Sequence, residues 1–395
     1  MLRATKDIVL PTTITGSLPR PSWFTQNIGT TQSFVEAFVN NQFREQYTDA
    51  VSIYIHEQEI SGLDIVTDGD AHFDSDVGGQ SWTNYPPRHM GGFDRFAARM
   101  TPAGRGGVAF PPGHILHDYL ESRVMPPIVG PVTRGDLQYA AIWKVAQRLT
   151  KKPVKFGTIG PELVAFAVAD KYYKNIRERI FAVADALNEE LHELADAGCP
   201  VIQFEEPQIH LLAVRNLVDD VLNPAFSVEV FNRTVKGLRG KTEIWCHTCW
   251  GNPSQQRMFT EVQSYKSALD MLNKVDADVV TFESCSAGGI DLEAFGKSIT
   301  DKKIAIGVID HHTLQVERPE EIAEHIRHAL KHIPAERLVI SSDCGLGREG
   351  MSRRHAFYKI VSLVRGTNLV RKELGVPQAE CLVADPKFSL VPVEK

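Results

Sequence analysis

Eight short runs rich in β-branched and other apolar residues recur along the chain with helix-patterned stretches between them, and this alternation restricts the fold more than any other feature. The runs cover residues 8–16, 63–67, 154–159, 201–204, 243–246, 278–282, 303–309 and 338–342. Between them, residues 33–61, 171–197, 225–238, 255–274, 319–331 and 352–374 space their apolar side chains as a helix buried on one face does. Strand then helix, repeated, predicts parallel βαβ units. Eight such units fit a (β/α)8 TIM barrel. A doubly wound sheet fits less well, because no glycine-rich dinucleotide turn follows the first run. The predicted class is therefore α/β, a TIM barrel forming a single domain over residues 1–395.

The spacing breaks most after the second run. Residues 71–152 crowd Gly, Pro, His and aromatic residues together, as in Gly78-Gly79-Gln80-Ser81-Trp82 and Tyr85-Pro86-Pro87, and an insertion of that length at a strand end predicts a lid or substrate wall. Within it, residues 127–131 read as an extra strand and 110–114 as a loop crossing the barrel mouth.

Composition narrows the function. Of 395 residues, 43% are hydrophobic and 23% charged, enough to bury a large core. A net charge of -6 with no basic cluster excludes a surface built for nucleic acid. No apolar stretch approaches the roughly 18 residues of a membrane span, and the first residues lack a signal-peptide profile, so the expected location is cytoplasmic. Six irregularly spaced cysteines do not form a disulfide framework; they read as reduced core residues or metal ligands.

In a barrel of this kind the chemistry gathers on the rim where strands end. The run ends supply Gly16-Ser17, Asp68-Gly69-Asp70, Gly160, Glu205-Glu206, His247-Thr248-Cys249, Glu283-Ser284-Cys285, Asp310-His311-His312 and Asp343-Cys344. So many titratable groups on one rim cost desolvation unless they pair or do chemistry. His247 and Cys249, two positions apart, can both turn toward one tetrahedral ion. Alone, the pair reads equally as a rim histidine beside a packed cysteine. Glu283 and Cys344 end the sixth and eighth runs, and a barrel brings those ends to the same mouth, so His247, Cys249, Glu283 and Cys344 are predicted to bind zinc. The competing reading of Cys344 is a small buried hydrophobe, and Cys285 is a minor alternative ligand. Cys199, Cys246 and Cys381 read as structural.

Two thiolates, a carboxylate and an imidazole make an anionic site that blunts the acidity of the ion, a poor setting for a water nucleophile and a good one for a thiol. Such a zinc holds a substrate thiolate at neutral pH, below the ordinary thiol pKa of about 8.5. The predicted activity is zinc-dependent alkylation of a thiol, with Glu283, the harder ligand, giving way to the incoming sulfur.

These residues resemble the catalytic barrel of cobalamin-independent methionine synthase and its short single-barrel relatives. The resemblance runs through Thr15-Gly16-Ser17-Leu18-Pro19-Arg20, Gly62-Leu63-Asp64, Asp68-Gly69-Asp70, Ile202-Gln203-Phe204-Glu205-Glu206-Pro207, His247-Thr248-Cys249, Ala277-Asp278-Val279-Val280-Thr281-Phe282-Glu283, Gly307-Val308-Ile309-Asp310-His311-His312 and Asp343-Cys344-Gly345-Leu346. It implies the same zinc ligands, a homocysteine site that includes Ser17, Asp70 and Glu205, and His312 as the histidine that helps protonate the departing methyl carrier. Asp70 and Glu205 stand where the family has glutamate and aspartate, a swap that moves each carboxylate by about one methylene. The resemblance implies a small-molecule thiol and an alkyl donor, the donor being methyl-folate, methylcobalamin or a corrinoid protein, and a homo-oligomer is compatible with it. The additional N-terminal barrel of the long enzymes, which helps bind polyglutamylated folate, is not in the chain. Aromatic surface from Trp82, Tyr85, His89 and Phe93 is expected over the zinc mouth.

Three other readings compete. Relatives on the same barrel open epoxides with coenzyme M. A glycoside hydrolase would use Glu205, Glu206 and Glu283 as acid and nucleophile, leaving His247, Cys249 and Cys344 without a role. A non-catalytic zinc-binding or corrinoid-partner protein would hold the ion structurally, although structural ligands normally lie close together in sequence.

Overall fold

The computed structural model describes residues 4–21, 23, 41–71, 85–94, 126–205, 208–215, 222–250, 263–347 and 351–384. Six strands form a wholly parallel sheet in sequence order: β3 Lys155–Ile159, β4 Val201–Glu205, β5 Glu243–Thr248, β6 Val279–Phe282, β7 Lys303–Gly307 and β8 Leu338–Ser341. Nearly every residue in them is buried, as parallel strands flanked by crossover helices require. Helices Ile176–Asp196, Pro224–Thr234, Pro319–Leu330 and Arg353–Glu373 match predicted stretches within a few residues. Asn175 and Asn223 start the first two by accepting Arg177 N at 2.8 Å and Phe226 N at 3.0 Å.

Strand alternation divides the sheet into two faces. Ile202, Phe204, Ile244, Cys246, Val280, Phe282, Ile304, Ile306 and Ile340 join the helices in the main apolar core. Each such side chain contributes about 1.5–3 kcal/mol by leaving water. The opposite phase forms a smaller cluster of Ala4, Ile65, Val201, Trp245, Val279, Ala305 and Val339. At its base, Thr5 N and Lys303 Nζ lock the N-terminal segment in place: Thr5 N donates to Glu243 Oε1 at 2.8 Å, and Lys303 Nζ donates to Thr5 O at 2.6 Å. This is a TIM-barrel-like α/β fold.

The first two predicted runs appear as single bridges rather than strands, Thr12 with Ile340 and Val66 with Val154. Pro11 has no N–H, and the Asp64 carboxylate takes both Thr12 N and Thr12 Oγ1 at 2.8 Å, where a ladder would use main-chain groups. Backbone bonds still lead from β8 through residues 11–13 and 64–66 to β3, by Thr13 N to Ile340 O, Ile65 N to Thr12 O and Lys155 N to Val66 O.

Part of the 71–152 insertion is described. β1 Gly91–Phe93 pairs antiparallel with β2 Ile128–Thr133, which corresponds to the extra strand predicted at 127–131. Tyr85, His89 and Phe93 are buried rather than presented as open aromatic surface. Tyr85 stacks on His89 at 4.0 Å between centroids and donates its hydroxyl to Leu137 O at 2.8 Å, so packing against helix Tyr139–Gln147 and its lead-in takes these rings inward. Trp82 and the predicted loop at 110–114 lie outside the described residues. Among the described residues, no helix is long and apolar enough to cross a membrane.

Candidate active site

His247, Cys249 and Cys344 come together with their ligating atoms all within 4.8 Å of one another. The two sulfurs are 3.5 Å apart. β5 delivers the first two, since His247 lies on the inward phase with Trp245 and Cys249 follows the strand end. His247 Nδ1 meets Thr281 Oγ1 at 2.6 Å, and Thr281 is its register partner on β6. When Nδ1–H donates to that hydroxyl, the lone pair lies on Nε2, which is buried and has no hydrogen-bond partner among the described residues. Burial, reinforced by the charges of Lys155, His210 and His311, holds the imidazole well below its ordinary pKa. A neutral, oriented imidazole beside two thiols is a donor set that fits zinc.

Glu283 lies next door. Its Oε2 accepts Trp250 N at 3.0 Å and its Oε1 accepts Ser286 Oγ at 2.7 Å. It groups within 4.8 Å with His311 and His312 instead of with the two thiols. Cys285 belongs to none of the three such groups among the described residues, the third being Asp310, His311 and Asp343; burial, then the charge of Asp343, pushes its thiol up. Cys246 and Cys199 are fully buried, and burial pushes both thiols up as well.

The loops around these ligands are held by groups to which the sequence assigned no role. Asp343 is fully buried and gathers the loop after β6, accepting Ser284 N at 2.7 Å, Cys285 N at 2.8 Å and Ser286 N at 2.7 Å. His210 Nε2 lies 2.6 Å from Cys249 O. Thr248 Oγ1 donates to Thr281 O at 2.7 Å. Such outer contacts orient metal ligands.

His312 is half-exposed beside this centre. Its Nδ1 is 2.7 Å from Asp310 Oδ1, and its Nε2 is 3.9 Å from Glu283 Oε1. Burial opposes the charged form, but the Asp310 hydrogen bond and the charges of Asp310, Glu283 and Asp343 outweigh it and raise the His312 pKa above the usual value. Histidine so placed is an acid near neutrality.

Ser17, Asp70 and Glu205 line an adjoining part of the rim. Gly16, at φ +67°, turns the chain so tightly that a Cβ there would lie 2.9 Å from Gly345 Cα, and Ser17 Oγ packs on Gly345 and Gly347, just past Cys344. Asp70 also has a positive φ of 56°, and Arg20 clamps the turn by donating to Leu18 O, Gly69 O and Asp70 O. Asp64 accepts Arg371 Nη2 at 2.6 Å. Asp70 and Glu205 converge above Gly157: a Cβ on that glycine would meet Asp70 Oδ1 at 3.0 Å and Glu205 Oε1 at 3.4 Å. Glu206 lies outside the described residues.

Thr281, Gln203 and Lys155 escaped the sequence reading, although one signal could have found them. Each is a polar residue on the inward phase of a largely apolar run.

The Methionine synthase of Saccharolobus solfataricus is 29% identical over 366 residues, covering 93% of this chain and 96% of that protein. The Methionine synthase of Thermococcus kodakarensis is 30% identical over 367 residues, covering 93% and 95%. Among solved structures, a B12-independent methionine synthase from Shewanella sp. W3-18-1, in complex with selenomethionine, superposes with a TM-score of 0.74 at 25% identity, covering 93% of this chain and 99% of that one. A family model described as the catalytic domain of cobalamin-independent synthase matches residues 97–365, a span that contains His247, Cys249, Glu283, His312 and Cys344. On that match, and on the rim that carries these residues, the chain belongs to the cobalamin-independent synthase catalytic-domain family.

Proposed function

We propose that the protein is a zinc-dependent methyltransferase that moves a methyl group from methyl-folate to the sulfur of homocysteine or a closely related amino-acid thiol. One observation carries this reading: a ring nitrogen of His247, whose buried Nε2 has no hydrogen-bond partner among the described residues, lies within 4.8 Å of two thiol sulfurs that are themselves 3.5 Å apart. His247, Cys249 and Cys344 would hold the ion, with Glu283 as the adjoining oxygen donor. Zinc held there supplies the positive charge that lowers an incoming thiol below its ordinary pKa of about 8.5.

Asp70 and Glu205 offer two carboxylates to the substrate ammonium, and Ser17 bonds its carboxylate. Coenzyme M suits this rim less, because its sulfonate would face two like charges. A glycosidase reading leaves two thiols and an unpartnered imidazole without work. The family's independence of cobalamin gives methylcobalamin and corrinoid donors no support. In the transfer, the S–CH3 bond forms as the bond from methyl to carrier breaks; the thiol gives up a proton, and His312 gives one to the departing carrier. The Asp310 hydrogen bond favours the protonated form of His312 against the opposing effect of burial.

The test is metal analysis followed by assay of homocysteine methylation with methyl-folate, methylcobalamin included as a control donor. The expected result is about one zinc per chain, lost in His247→Ala and Cys344→Ala, and methionine formed from methyl-folate. Full metal retention in both variants would reject the site, and transfer to no amino-acid thiol would reject the activity.

A further inference from the structure

Beneath the paired carboxylates, β3 begins with a lysine on the phase where barrel interiors normally hold branched apolar side chains. Lys155 is 2% exposed. Its Nζ donates to Ile14 O at 2.6 Å and to Gln203 Oε1 at 2.8 Å, and lies 4.8 Å from the Trp245 ring centroid. Both acceptors are neutral oxygens, so the amine is not buried for a direct ion pair, and a buried amine is costly unless its hydrogen bonds do something specific.

What they do is fix an amide. Lysine can only donate in its charged form, so the side of Gln203 that faces it must be Oε1. Gln203 Nε2 is thereby turned the other way, where it donates to Glu205 Oε1 at 3.1 Å. The register sets Lys155 opposite Val201, so Gln203 lies two residues further along β4 and Glu205 two beyond it on the same face. Burial pushes Lys155 down to about 7, against the pull of Glu205 and Asp70, yet an uncharged amine still has the two N–H donors that both bonds need.

We propose that Lys155 is a positioning residue for recognition of the substrate ammonium: through Gln203 it sets the direction in which the Glu205 carboxylate points. This rests on Glu205 being an ammonium-binding group, as proposed above. Without the relay, Gln203 is free to flip its amide and present Oε1 to Glu205, placing two acceptors against each other where the ammonium should bind.

The experiment compares zinc-loaded parent, Glu205→Gln, Gln203→Met, Lys155→Met and the Lys155→Met/Glu205→Gln double variant with two thiols, homocysteine and 4-mercaptobutanoate, which lacks the amino group. Zinc content and thermal unfolding are followed in parallel. The relay predicts that Lys155→Met and Gln203→Met each raise KM for homocysteine about tenfold, the effect of one hydrogen bond to a charged group. KM for 4-mercaptobutanoate and kcat stay near parent values, zinc is retained, and Lys155→Met adds nothing further in the Glu205→Gln background. If Lys155→Met does not fold, Gln203→Met carries the same test. Parent-like homocysteine KM in the Lys155 and Gln203 variants, with Glu205→Gln impaired, overturns the relay and leaves the role of Glu205 intact. An equal KM rise for both thiols also overturns it, as general disruption of the rim. An unimpaired Glu205→Gln overturns the role of Glu205, and the relay with it.

Discussion

Thr281 has no chemistry of its own, yet its hydroxyl at 2.6 Å from His247 Nδ1 decides which imidazole nitrogen faces the two thiols. Thr281→Val keeps the shape of the side chain and removes that contact. Zinc affinity should fall about 10- to 100-fold, the usual effect of losing an outer partner of a ligating histidine, when measured by competition with a chelator. Unchanged affinity would mean that the ring is held by packing alone. His247, Cys249 and Cys344 were legible in the sequence because their residue types are scarce and fell at strand ends. Thr281 was not, because threonine occurs everywhere and only a partner makes it informative, and Asp310 was legible as a rim carboxylate but not as the partner of His312. Glu283 was legible as a rim carboxylate, but its bonds to Trp250 N and Ser286 Oγ depend on two loops meeting.

At the level of elements, β3 has its site role through an absence. Gly157 leaves the space into which Asp70 and Glu205 lean, and a methyl there would require Asp70 Oδ1 to give by a few tenths of an ångström. Gly157→Ala should therefore raise KM for homocysteine several-fold, roughly the effect of one weakened hydrogen bond, while zinc content stays at the parent value. Steady-state kinetics with metal analysis checks it, and an unchanged KM would show that the carboxylates do not act from above this glycine. Six of the eight predicted runs became strands with ends displaced by two residues or fewer. The runs at 8–16 and 63–67 did not, since Pro11 withholds a donor and Asp64 takes Thr12 N with its side chain. Periodicity reports burial; it says nothing of which groups complete the ladder.

The whole molecule carries a pH signature of its burial pattern. Glu162 is fully buried, and desolvation raises its carboxyl to about 7 although Ser227 Oγ and Gln208 N both donate to it. A folded-state pKa above the unfolded value means the native state binds the extra proton. Stability from this group is therefore fully present below about pH 4.5 and is lost as pH rises toward 7. Glu162→Gln should raise the unfolding free energy by up to about 3 kcal/mol above pH 7, with the gain shrinking toward pH 5. Denaturant unfolding at pH 5, 6, 7 and 8 measures it, and a gain independent of pH would show that Glu162 is ionised throughout.

By itself the sequence determined the alternation of strand and helix, the polar rim at the strand ends and the chemical types of the ligands, because periodicity and scarce side chains are local properties of the chain. Tertiary structure alone decided which of those groups meet. Cys249 and Cys344 are 95 positions apart and their sulfurs 3.5 Å, Lys155 of β3 reaches Glu205 of β4 only through Gln203, and Tyr85, His89 and Phe93 turn inward to the core, since each contact depends on strand register and loop packing between segments distant in the chain.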